Sequence, residues 1–123
     1  MSAEPVKEIF TPYPCQDWLG RTYLFINYRQ LSILQISSHV WEKPGREGIT
    51  PELIQRLVKR LEVEGPFIPE GHKENKEFFK LEPAWDGEKS YKLIWYLKEN
   101  DPSIWIKTCH RTKKKYNEEK PRF

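Results

Sequence analysis

Lys89–Lys98 (KSYKLIWYLK) and Ser103–His110 (SIWIKTCH), joined by Glu99-Asn100-Asp101-Pro102, decide the fold class. Both segments are rich in β-branched and aromatic residues, and the Asn, Asp and Pro between them favour a turn, so the pair predicts a hairpin. Ahead of it, Glu77–Leu81 (EFFKL) reads as a third strand, with Trp85-Asp86-Gly87 making a broad turn rather than a tight one. Side chains alternate between the two faces of a strand. On the last strand Ile104, Ile106, Thr108 and His110 share one face, while Trp105, Lys107, Cys109 and Arg111 share the other. Either the isoleucines point inward and Trp105 with Lys107 forms an open face, or the reverse holds. A bulge near Thr108 would bring members of both sets to one rim.

Working back along the chain, the clearest helix begins at Thr50-Pro51-Glu52. Thr can cap, Pro suits the first helical position, and Glu favours the positive end of the helix dipole. Leu53, Ile54, Leu57, Val58 and Leu61 then recur on one face at helical spacing, and Glu64-Gly65-Pro66 ends the element. Ser37–Glu42 reads as a helical turn or short helix stopped by Pro44-Gly45. Within Thr22–Ile36 two short strands are predicted, Thr22–Asn27 and Ser32–Ile36, interrupted by Tyr28-Arg29-Gln30. A single bent strand, or an irregular helix through Tyr28–Leu34, is the alternative. Pro66–Lys76 reads as a loop.

The expectation is an α+β domain: a three-stranded C-terminal meander plus an N-terminal strand or strands, backed by one or two helices. At 123 residues this is a single domain, divided into an extended N-terminal arm (1–20), an α+β core (21–116) and a basic tail (117–123). Apolar residues make up 37% and aromatics 14%, so the core is expected to rely on few, large side chains. No apolar run approaches the roughly 20 residues that span a bilayer, so no membrane role is expected. Met1–Lys7 shows no positive stretch leading into an apolar one, hence no signal peptide and a cytoplasmic setting. Cys15 and Cys109 stand far apart, which suits two reduced thiols in a cytosolic protein, a single disulfide being the alternative. Without local ligand pairs no zinc site is expected.

Net charge is +3, yet Lys107–Phe123 holds seven Lys or Arg against two Glu, leaving the rest of the chain acidic. Cations gathered at one end can face phosphate. Metal-free RNA cleavage needs a base for the 2′-hydroxyl, an acid for the leaving oxygen and a cation for the phosphorane. Imidazole can be either base or acid near neutrality. His110 stands among Lys107, Thr108 and Arg111, and His39 supplies a second imidazole if its turn packs over the same rim. His72, in a Gly/Pro loop, reads as a surface residue. Tyr116 follows Lys113, Lys114 and Lys115 and could stack on a base, donate a proton or cap the core edge. Trp41, Trp85, Trp95 and Trp105 read as core or sheet-face residues, and a stacking platform would need them exposed.

Taken together, these pieces resemble the RelE/ParE-like and BrnT-like toxins of bacterial toxin–antitoxin systems. The layout runs from Ile36-Ser37-Ser38-His39 through Arg46-Glu47-Gly48-Ile49-Thr50-Pro51 to Tyr91–Trp95 and Ile104–Thr108, closing on Arg111-Thr112-Lys113-Lys114-Lys115-Tyr116. The resemblance implies a helix-backed antiparallel sheet whose exposed side grips RNA. It implies a metal-independent endoribonuclease without cofactors, acting on free RNA or ribosome-bound mRNA and held in check by an antitoxin protein. His39, His110, Lys107, Arg111 and Thr108 would be catalytic, and Arg46, Lys113, Lys114, Lys115 and Tyr116 would hold nucleic acid. Two features depart from that layout: the first 35 residues are an addition, and the Gly65–Lys76 loop is long. The alternatives are a non-catalytic RNA- or DNA-binding domain and a protein-interaction domain with a solubilising basic tail.

Overall fold

The computed structural model describes residues 8–42 and 48–112. They form a mixed α+β unit containing a six-stranded, mostly antiparallel sheet, a separate two-stranded hairpin and two helices. The closing strands β6 (Lys76–Asp86), β7 (Lys89–Lys98) and β8 (Ser103–Arg111) pair antiparallel in order, but the meander they belong to is longer than the three strands expected. In space the strands run β1 (Phe10–Pro14), β4 (Ile33–Ser37), β8, β7, β6 and β5 (Gly71–Lys73). Two strands thus extend the closing three on one side and one on the other. The pairing of β4 with β8 is parallel, from Ile33↔Ser103 to Ile36↔Ile106, where an antiparallel sheet was expected. The Pro102 carbonyl starts that pairing by accepting the amides of Ser32 and Ile33.

Several sequence expectations need correction, each for a local reason. The interruption at Tyr28 is the turn of a hairpin, β2 (Leu24–Ile26) with β3 (Arg29–Leu31). Asn27 and Tyr28 both take positive φ, 52° and 65°, as a two-residue type I′ turn requires. No helix forms there. The expected broad turn at Trp85-Asp86-Gly87 is tight: Asp86 pairs with Lys89 across Gly87-Glu88, and Gly87 supplies the positive φ. The third strand also extends well beyond Glu77–Leu81, absorbing Glu82-Pro83 as a bulge between Leu81 and Ala84. Part of the 66–76 loop is β5, turned back on β6 through Glu74-Asn75. The arm contains β1, paired antiparallel with β4 from Phe10↔Ser37 to Pro14↔Ile33.

Helix α2 (Pro51–Glu64) matches its sequence signals. The Thr50 hydroxyl accepts the Leu53 amide at 3.1 Å, and Pro51 opens the first turn. Leu53, Ile54, Leu57, Val58 and Leu61 are all buried in one core with Phe79, Leu93, Trp95, Leu97, Ile104 and Ile106. Trp95 is its centre, stacked on Phe79 (12° between planes) and met edge-on by Phe67. The Asn27 amide clasps the Phe67 backbone, accepting its N–H and donating to its carbonyl, which ties the small hairpin to the segment after α2. Helix α1 (His39–Glu42) packs beside β8. All of this lies on one face of the sheet, and among the described residues no helix or strand covers the other.

Candidate functional site

Burial settles which way β8 faces. Ile104 and Ile106 are fully buried against the helices, so Trp105 and Lys107 belong to the open face. The β7–β8 register then shifts: Trp95 pairs with Ile106 but Ile94 with Thr108, leaving Lys107 as the extra residue. The bulge reverses the alternation beyond it. Cys109 takes the inward place opposite Leu93, while Thr108 and His110 join Trp105 on the open face, opposite Ile94 and Lys92. Arg111 consequently lies on the helix side, its guanidinium 5.8 Å from the Tyr91 ring. The structure therefore gathers Lys107, Thr108 and His110 on one face and does not bring Arg111 to them.

Across the open face runs a continuous line of aromatic rings drawn from four strands. Phe10 meets Trp105 edge-on at 5.0 Å. Trp105 and Tyr96, a cross-strand pair, lie parallel within 2° at 5.7 Å. Phe78 follows at 5.4 Å from Tyr96. Lysines border the line: Lys98 Nζ is 4.1 Å from the Trp105 centroid, Lys76 Nζ 5.0 Å from Tyr96 and Lys107 Nζ 6.0 Å from Phe10. An ammonium is held over a ring by the negative face of its quadrupole. Trp105, Phe10 and Phe78 are only part-buried, whereas Tyr96 between them is buried at 5% exposure and Trp95 on the other face is fully enclosed.

At the Phe10 end stands a polar cluster. The Glu8 carboxylate accepts from Lys107 Nζ at 2.7 and 2.9 Å and from the Ser37 hydroxyl. Ser37, wholly buried, also accepts the His39 amide at 3.1 Å. His39 Nδ1 lies 3.5 Å from Glu8, and its Nε2 3.9 Å from Glu42. Burial raises the Glu8 pKa, but the hydrogen bonds from Lys107 and Ser37 and the Lys107 charge outweigh it, leaving the carboxyl below its usual value. The fold makes this cluster possible: parallel pairing sets the end of β4 beside Lys107, and antiparallel pairing sets Phe10 beside Ser37.

Of the residues singled out from the sequence, His39 and Lys107 meet here, while Thr108 and His110 follow along the same strand. Arg46, Lys113, Lys114, Lys115 and Tyr116 lie outside the described residues. Glu8, Ser37, Phe10, Phe78, Tyr96 and Lys98 were missed as site residues. Only strand order brings them together, and the parallel β4–β8 pairing leaves no local sequence signal. His72, read as a surface residue, is exposed with Nε2 3.4 Å from Glu77. Cys15 and Cys109 are both buried and are not joined in a disulfide, and burial pushes the Cys15 thiol up to about 12. Among the described residues no cluster of His, Cys, Asp or Glu is arranged to hold a metal ion, and no helix is long and apolar enough to cross a membrane. No protein-family model, curated protein or solved structure matches this chain.

Proposed function

We propose that the chain binds single-stranded RNA on the open face of its sheet. The observation that carries this is the set of part-exposed rings Phe10, Trp105 and Phe78, joined through the buried Tyr96 into one line and bordered by Lys98, Lys76 and Lys107. Every base has a π-face, so aromatic rings in a row accept successive unpaired bases without reading sequence. A lysine over a ring gives up its place cheaply: its flexible stem swings aside and the ammonium moves to the phosphate beside the stacked base. A duplex keeps its bases inside and cannot use such a line.

The test is fluorescence anisotropy of labelled oligouridylate against wild type, Trp105→Ala and Lys98→Ala. One lost stacking contact should weaken binding by about 1–3 kcal/mol, roughly 5- to 150-fold. Removing Lys98 should weaken it less and reduce its salt dependence. Equal binding by all three folded proteins would refute the reading.

A second reading, a toxin-type, metal-independent endoribonuclease governed by an antitoxin-like partner, draws support from one observation. His39 and Lys107 converge on the same carboxylate at the end of the aromatic line. There His39 would move a proton while Lys107 steadies a phosphorane, with Thr108 and His110 farther along β8. Arg111, on the helix side, is left out of that arrangement. Incubation with RNA in EDTA distinguishes the two readings. Cleavage reduced about 100-fold or more in His39→Ala would establish a proton-transfer role for it. Salt-sensitive binding without cleavage by wild type would leave the binding reading alone.

A further inference from the structure

The Lys107 ammonium, the Ser37 hydroxyl and the His39 imidazole are three donors or potential donors directed at one small volume, and that volume holds an anion. The anion belongs to the chain itself, the Glu8 carboxylate. We propose that this is a phosphate-binding site of the RNA surface, with Glu8 as a built-in competitor that occupies it until nucleic acid displaces it. The inference rests on the RNA-binding reading above for the identity of the phosphate's owner. It does not need that reading for the site itself.

Three features support an anion site over a simple pin for the arm. First, the donor set is one that a phosphate oxygen uses equally well: a charged amine, a hydroxyl and an imidazole N–H. Second, the floor is built in. Ser37 is fully buried and its oxygen is already fixed by the His39 amide, so its hydroxyl proton is free to be directed at the occupant. Third, the rim is open: the side chains of Glu8, His39 and Lys107 keep 22%, 39% and 34% of their exposure, so an incoming group can reach the donors. The position also fits, because Lys107 reaches the Phe10 ring and a phosphate here would flank a base stacked at that end.

Glu8 can leave at modest cost. It precedes β1, an edge strand whose sheet partner is β4 alone, and its carboxylate has solvent on one side. A tethered carboxylate acts at high effective concentration, so it lowers the apparent affinity of the site for a free anion without abolishing it.

The experiment compares the full-length wild type, Glu8→Ala and Glu8→Ala/Lys107→Met, titrated separately with inorganic phosphate and with oligouridylate. Binding is read from NMR shifts of the Ser37, His39 and Lys107 amides. Glu8→Ala should bind phosphate at least about tenfold more tightly than wild type, and the Lys107→Met addition should remove the gain. Glu8→Gln, which keeps the shape and removes the charge, must move in the same direction, so a folding defect in the alanine variant cannot hide the answer. Unchanged or weaker phosphate binding in both Glu8 variants would overturn the inference. If phosphate binding improves while no variant binds oligouridylate, the anion site stands and the RNA reading falls. If oligouridylate binds all three proteins equally and phosphate binding does not improve, the RNA reading stands and the inference falls.

Discussion

Glu8 is held by charge and by hydrogen bonds at once, and this makes its contribution depend on pH in a defined direction. Its folded-state pKa lies below the ordinary value of 4.5 because the Lys107 and Ser37 contacts outweigh the opposing effect of burial. A carboxyl with a depressed folded pKa contributes stability that is present above the unfolded pKa and lost as pH falls through the folded one. Wild type should therefore melt above Glu8→Ala at pH 7, by an amount worth less than about 1 kcal/mol for so open an ion pair. The gap should narrow below pH 4.5 and vanish once Glu8 is protonated in both states. Thermal melts of the two proteins from pH 7 to pH 2.5 check it, and a gap that widens on acidification would show that Glu8 is buried as an acid, not clasped as an anion.

Elements whose determining interactions are local show in the sequence, and those held by distant partners do not. Helix α2 was readable end to end because a hydroxyl cap, a proline, a dipole-matched glutamate and a five-residue apolar stripe all act within a few residues. Leu57, fully enclosed at the middle of that stripe, should cost about 2–5 kcal/mol when cut to Ala, measured by urea titration. Strand β1 is masked in the sequence, where Pro12 and Pro14 argue against a strand. Register explains how they fit. The bonds Cys15 N–H to Ser32 and Ser38 N–H to Ile9 place odd-numbered residues toward β4, so the prolines sit where the backbone points outward. They remove donors from the open edge of the sheet, which discourages pairing with a second chain. Pro12→Thr/Pro14→Thr should restore two outward N–H groups while sparing the β1–β4 bonds. Its expected consequence is concentration-dependent association by light scattering at an unchanged monomer fold. A double variant that stays monomeric at high concentration would show that the prolines have no such guarding role.

For the molecule as a whole, what the sequence left open was which face of the last strand would be free and how its two histidine-bearing segments would meet. The alternation in SIWIKTCH was visible, and so was the prospect of a bulge near Thr108, but the choice of face depended on what α2 buries. The Glu8 cluster depended further on a parallel strand pair whose members are about seventy residues apart in sequence. Once assembled, the open face makes a quantitative statement about binding. It carries Lys76, Lys92 and Lys98, for which no ion pair is seen among the described residues, while Lys80 lies near Glu70 and Lys107 is taken by Glu8. Each lysine that neutralises a phosphate of a single strand contributes about −0.7 to the slope of log K against log salt. Three available lysines predict a slope of about −2 for oligouridylate. Lys98→Ala should flatten it by about 0.7, and Glu8→Ala, by releasing Lys107, should steepen it by about the same amount. Opposite shifts from these two substitutions would tie the aromatic line and the Glu8 cluster to one binding surface. A slope that Glu8→Ala leaves unmoved would mean that Lys107 never reaches the strand and that the two features serve separate ends.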